Sequence, residues 1–264
     1  MAIILIIVTV IIFIIVIKKR KVPKLGEVCC ITGGVKTGKS TLTLYLARRK
    51  YKSNLFKWKI RKLIAKIRKR EEPEKPLFYS NIPLGYEYVP LTKEIFLREE
   101  RMAYKSVVFC DEASLIADSQ DWRDTDINEQ LKLFNKLFGH ETQGGSLFYD
   151  THVMRDVHYA IKRCMNSYLW IHHAIKWIPF FYFCQVREMF FSEEGEAVNL
   201  IKDDAEDKLK WICVPKSTWK KFDCYCYSVL TDHLTVANKV TTAKDKKELK
   251  TDKIIEIGKK RGTK

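Results

Sequence analysis

A chain of 264 residues is long enough for one full-sized domain with a terminal appendage. Its 48 Lys and Arg against 32 Asp and Glu leave a formal charge of +16 and a pI near 9.4, a balance that favours polyanionic partners, either nucleic acid or an anionic membrane face. A disulfide-stapled module and a zinc finger are excluded: Cys29, Cys30, Cys110, Cys164 and Cys184 lie in apolar stretches that read as core, and Cys224 and Cys226 lack a second pair or a nearby His at zinc-site spacing.

Residues 2–17 are apolar throughout except for Thr9. As a helix they span ~24 Å, and Met1 with the long stems of Lys18 and Lys19 can bring that to a ~30 Å hydrocarbon core. A cleaved signal peptide would need a basic start and a small-residue cleavage site, and neither precedes Lys18. The expectation is an uncleaved transmembrane anchor over 1–18. Lys18, Lys19, Arg20, Lys21 and Lys24 follow it directly, so the positive-inside rule puts the N-terminus outside and the rest of the chain in the cytoplasm. Residues 19–26, with Pro23 and Gly26, read as a basic hinge.

Val28-Cys29-Cys30-Ile31-Thr32 reads as a short buried strand, and Thr41 to Ala47 as the start of a helix. Between them stands Gly33-Gly34-Val35-Lys36-Thr37-Gly38-Lys39-Ser40, which fits G-x-x-x-x-G-K-[ST] in its strand–loop–helix setting. Glycines let the backbone curl so that successive N–H groups, reinforced by the helix N-terminus, face phosphate oxygens. Lys39 is the expected partner of the β- and γ-phosphates, Ser40 of Mg²⁺, and Thr41 completes the cradle. The ligand expected is ATP with Mg²⁺.

Residues 48–76 form a basic insertion, with thirteen Lys and Arg against three Glu. Phe56, Ile60, Leu63, Ile64 and Ile67 recur in it at helical spacing, which predicts a basic amphipathic helix. Three roles stay open: a helix packed on the domain with a solvated basic face, a helix on an anionic leaflet, or a contact for single-stranded nucleic acid using Trp58 or Phe56.

Leu77 to Ser80 reads as a strand with a turn at 81–85. Val107-Val108-Phe109-Cys110 reads as a buried parallel strand that delivers Asp111 and Glu112 at its C-terminal end, where open α/β sheets bind ligands. Asp111 is the second expected Mg²⁺ ligand, and Glu112 the carboxylate expected to polarise the attacking water. Ile127, Leu131, Phe134, Leu137 and Phe138 predict a helix stopped near Gly139. Ser146 to Tyr149 predicts a further strand, whose tip offers Thr151 as a sensor of the γ-phosphate, with His152 and His140 behind it; the alternative is that these are polar loop residues without nucleotide contact.

Val153 to Met165 reads as a helix whose Arg155, Lys162 and Arg163 are surface charges or trans-acting cations. Tyr168 to Ile171 reads as a strand, Phe180 to Phe191 as a strand pair at the sheet edge, and Trp177 with its neighbouring Phe residues as core. Trp211 to Val214 and Cys224 to Val229 are short strand candidates. The Lys-rich stretch 231–264 reads as a basic, disordered tail. The fold class expected is α/β: a P-loop NTPase over 27–230, with a mostly parallel central sheet flanked by helices and a transmembrane helix before it.

The motifs at Gly33 to Thr41 and Val107 to Glu112, with Tyr79 to Pro83, Gly139-His140, Ser146 to Thr151 and Asp156 to Arg163, resemble the zonular occludens toxin-like family, the assembly and export ATPases of filamentous phages. That resemblance implies an ATPase of the FtsK and HerA kind at the host inner membrane. It also implies a homo-oligomer, with a hexameric ring as one form, acting on single-stranded DNA or on phage coat and assembly proteins to power virion extrusion. The chain departs from the family pattern in carrying its apolar span before the ATPase motifs. Two other classes stay open: a small-molecule or nucleotide kinase, and a nucleotide-binding membrane scaffold without turnover. A GTPase fits less well, because Asn238-Lys239-Val240-Thr241 lacks the Asp that reads guanine.

Overall fold

The computed structural model describes residues 25–96, 98–116, 125–191, 197–198 and 209–222. The expected anchor over 1–18, the expected hinge up to residue 24, the strand candidate at Cys224 to Val229 and the expected tail at 231–264 lie outside the described residues.

Short runs of β-branched and apolar residues build one sheet. β1 (Val28–Thr32), β2 (Phe78–Ser80), β3 (Val89–Pro90), β4 (Val107–Cys110), β5 (Ser146–Thr151) and β6 (Ser167–Ile175) lie in the order β3-β2-β4-β5-β1-β6, all parallel. Every residue of β1, β2, β4 and β5 is buried, the mark of strands covered on both faces. Beyond β6 the sheet turns antiparallel through β7 (Phe181–Phe191), which pairs with β8 (Ala197–Val198) and β9 (Lys210–Pro215).

Alternate side chains along the strands feed two cores. Cys29, Ile31, Val107, Phe109 and Phe148 point to the face covered by α1 (Lys39–Ile67), together with Tyr182, Val186, Ile212 and Val214 from the antiparallel strands. Val28, Cys30, Val108, Cys110, Leu147 and Tyr149 point to the other face, where Leu131, Phe134 and Phe138 of α4 (Thr125–Glu141) pack. Three short helices complete the domain: α2 (Lys93–Phe96), α3 (Ala113–Ile116) and α5 (Tyr159–Lys162).

Several sequence expectations need correction. The basic stretch at 48–76 is no separate helix: α1 runs unbroken from the glycine-rich loop to Ile67, because nothing between 40 and 67 breaks a helix, and the chain then turns at Arg68 and Lys69 and returns without regular secondary structure to β2. α4 passes through Gly139 to Glu141, and Gly144 at φ 94° makes the stop. Gly139 instead allows close approach, since a Cβ there would stand 2.2 Å from the Glu27 carboxylate. The span 153–165 holds only a 3₁₀ turn, Met154–Asp156, and the single turn of α5. Phe181–Phe191 form one long strand, β7, rather than a pair. Trp177 and Phe180, 83% and 81% exposed, sit on the turn between β6 and β7 and are not core.

Candidate functional site

Parallel pairing sets the C-terminal tips of β1, β5 and β4 side by side, with β5 in the middle. Everything that follows β1 and β4 in sequence is therefore delivered to one edge. After β1 the chain curls: Thr37 returns both its N–H and its hydroxyl to the Gly34 carbonyl, at 3.2 and 2.8 Å. Lys36 and Gly38 take positive φ, 60° and 89°, before α1 begins at Lys39. The curl is braced from β7, where the buried Tyr182 hydroxyl donates to the Gly38 carbonyl at 2.9 Å. A Cβ at Gly38 would stand 3.2 Å from the Tyr182 ring.

Lys39, only 7% exposed, points its ammonium across β5 to the tip of β4. Its Nζ lies 3.1 Å from Glu112 Oε2 and 3.1 Å from His152 Nε2. The other oxygen, Glu112 Oε1, accepts from Ser114 Oγ at 2.9 Å, from Thr151 Oγ1 at 3.1 Å and from the His152 N–H at 3.2 Å. Burial alone pushes this carboxyl up, but the Lys39 charge, the Ser114 hydroxyl and His152 outweigh it and hold Glu112 below the usual carboxylate range.

Glu112 sits at φ 53°, a left-handed conformation that costs a non-glycine residue of order 1–3 kcal/mol. Its N–H is held by Asp150 Oδ1 at 3.0 Å, from the neighbouring tip of β5. Asp150 is fully buried and its carboxyl lies against that of Asp111. Burial and the Asp111 charge push Asp150 well above the usual carboxylate range. The β4 tip is clamped once more by Asn81, whose side chain accepts the Asp111 N–H at 2.8 Å and donates to the Asp111 carbonyl at 2.9 Å.

The oxygens of this edge suit a divalent cation. Asp111 Oδ1 is buried without a hydrogen-bond partner among the described residues, and Ser40 lies half-buried on the first turn of α1. Hard oxygen donors of this kind fit Mg²⁺. No trio of His, Cys, Asp or Glu among the described residues could hold a metal ion by itself.

The structure thus gathers Gly33 to Thr41, Asp111, Glu112, Thr151 and His152 at one edge. It separates His140, which is exposed on the last turn of α4, near the opposite end of the sheet. The Thr41 hydroxyl is buried and without a hydrogen-bond partner among the described residues, whereas Val35 and Lys36 are exposed on the loop. Asp150, Asn81 and Ser114 were not singled out from sequence. Only Asp150 carried a signal, an acid ending an otherwise apolar strand directly before Thr151.

No family model matches the chain, and no curated protein matches it. Among solved structures it is similar to the N-terminal domain of zonular occludens toxin from Neisseria meningitidis, with 12% identity and a TM-score of 0.43 over 76% of this chain and 100% of that one. It is also similar to the genome packaging NTPase B204 from Sulfolobus turreted icosahedral virus 2. In its complex with ATP-gammaS the match has 14% identity and a TM-score of 0.33 over 55% of this chain and 74% of that one; in its complex with AMP, 10% identity and 0.33 over 63% and 98%. The first comes from the family that the motifs resemble. Nothing about the site follows from likeness at this level.

Proposed function

We propose that the chain is a P-loop ATPase. The observation that carries the reading is the meeting of Lys39 and Glu112, 73 residues apart in sequence, at 3.1 Å over the tips of β1 and β4. A lysine at a helix N-terminus behind a curled glycine loop is a seat for a polyanion, and here a carboxylate rests on it.

Triphosphate would take over Lys39 from Glu112. The loop amides and the ammonium then hold the β- and γ-phosphates, and Thr41 offers its unpartnered hydroxyl. Released from Lys39, Glu112 is free to accept a hydrogen bond from water. That water's oxygen forms a bond to the terminal phosphorus, the bond from phosphorus to the bridging oxygen breaks, and the proton passes to Glu112 as ADP becomes the leaving group. Thr151 and the His152 N–H keep the carboxylate aimed, and Asp150 and Asn81 hold the strand tip that bears it. Ser40 and Asp111 are the residues that would hold Mg²⁺, whose charge offsets that of the phosphates when bound.

The resemblance of the motifs extends the proposal to a homo-oligomeric motor on the cytoplasmic face of a host inner membrane. The apolar run at 2–17 is its anchor, and its task is phage assembly, virion extrusion or movement of single-stranded DNA. Phosphate release from ATP, measured alone and with single-stranded DNA, tests it. Hydrolysis stimulated by DNA favours a strand translocase, and DNA-indifferent hydrolysis favours extrusion of protein. Absence of hydrolysis in every condition, or phosphate appearing on an acceptor, would sink it.

A further inference from the structure

The second half of α1 has no part in the site. Its last buried residue is Asn54, whose side chain donates to the Lys105 carbonyl just before β4, so the helix has by then crossed the whole sheet. Residues 55–67 continue for about 20 Å past that edge. One side of this extension is covered: the Trp58 indole donates to the Pro73 carbonyl at 2.8 Å, Lys62 pairs with Glu72, and Arg61 meets Tyr104.

The opposite side is bare. Phe56, Ile60, Leu63, Ile64 and Ile67 are exposed, at 65, 44, 61, 42 and 73%, and at about 100° per residue they form one stripe about 100° wide. Lys57 and Arg68 border it on one flank, Lys59 and Lys66 on the other, and all four are exposed. An apolar strip walled by long cationic side chains matches the boundary between acyl chains and anionic headgroups.

The path of the chain points the same way. Leu25 packs on the core that α1 covers, and Lys50 of α1 lies within electrostatic reach of Glu27, so the polypeptide enters β1 on the sheet edge from which the extension projects, remote from the nucleotide seat. Lys18, Lys19, Arg20, Lys21 and Lys24 precede that point, and the apolar run at 2–17 precedes them. Seven residues, 18–24, reach at most about 25 Å, enough for a membrane-held run and the full length of the extension to share one surface.

We infer that residues 55–67 of α1 lie on an anionic bilayer, with Phe56, Ile60, Leu63, Ile64 and Ile67 facing the acyl chains and the flanking Lys and Arg on the headgroups. A second copy of the helix is a poorer occupant, because its cationic flanks would meet like charge. Nucleic acid is poorer too: the Trp58 ring is turned into the fold beneath Lys62, leaving Phe56 as the stripe's only ring for stacking. The inference is independent of the nucleotide site, so either can fail alone.

Hydroxyl-radical footprinting of the full chain tests it, with peptides 2–17 and 55–67 read separately by mass spectrometry. On vesicles containing a third phosphatidylglycerol, oxidation of Phe56, Leu63 and Ile67 should slow at least about fivefold relative to detergent-free protein. On pure phosphatidylcholine, protection should be less. Leu63→Glu with Ile67→Glu should abolish protection of Phe56 while the urea unfolding midpoint in the absence of vesicles stays unchanged, which shows the variant folded. Equal protection on both vesicles, protection that follows protein concentration or single-stranded DNA, or protection of 2–17 alone would each overturn the inference.

Discussion

Replacing Asp150 by Ala removes the acceptor for the Glu112 N–H, 3.0 Å away at the tip of β5. That N–H is part-buried and belongs to a residue held at φ 53°, so its loss combines an unsatisfied donor, about 1–3 kcal/mol, with freedom for Glu112 to relax. Stability should fall by about 1–3 kcal/mol, and turnover by about tenfold to a hundredfold as the carboxylate loses its aim. Asp150→Asn is the discriminating partner. Its amide oxygen can still accept the Glu112 N–H, and its lack of charge matches a carboxyl that burial and Asp111 push up toward the neutral form. Asn should therefore keep most of the stability and turnover that Ala loses. The sign of the pH effect follows: a carboxyl raised in the fold favours folding most below the unfolded value and progressively less as pH rises, so Asp150→Asn should flatten that decline. Urea unfolding with phosphate-release kinetics on the three proteins reads all of this. If Asn proves as damaging as Ala in both, the negative charge and not the acceptor is what the site uses.

Tyr182→Phe should cost about 1 kcal/mol in urea unfolding, since the Gly38 carbonyl still accepts the Leu42 N–H; a loss beyond about 3 kcal/mol would contradict that accounting. Gly38→Ala should weaken nucleotide binding measurably by calorimetry, because φ 89° is unfavourable for a side chain and the new Cβ would press on Tyr182; unchanged affinity would refute the role given to the curl. Glu112 is held below the usual carboxylate range by Lys39 and its hydrogen-bond donors, so its contribution to stability is present above the unfolded value and lost as pH falls through the folded one. In acid titrations Glu112→Gln should lack that loss; an unaltered acid limb would count against the ion pair.

Much of the site was legible because loop chemistry is local. Gly33 to Ser40 can hardly do other than curl between a strand and a helix, and Val107 to Glu112 states a buried strand with an acidic tip. What put Thr151 between them is strand order, and no local pattern specifies that β5 inserts between β1 and β4. Asp150 and Asn81 were missed for the same reason, since their partners lie 38 and 30 residues away. The length of α1 was misread because a change from apolar to basic composition looks like a boundary, while helix propensity runs through it. Trp177 and Phe180 were misplaced because hydrophobicity alone does not say whether a turn has anything to pack against.

The most direct measurement is steady-state phosphate release and ATP affinity for Glu112→Gln at saturating Mg²⁺. Turnover should drop at least about a hundredfold, with ATP bound as tightly as before or more tightly, since no carboxylate then competes with phosphate for Lys39. Turnover within about threefold of the unaltered chain would contradict the placing of Glu112 on the attacking water.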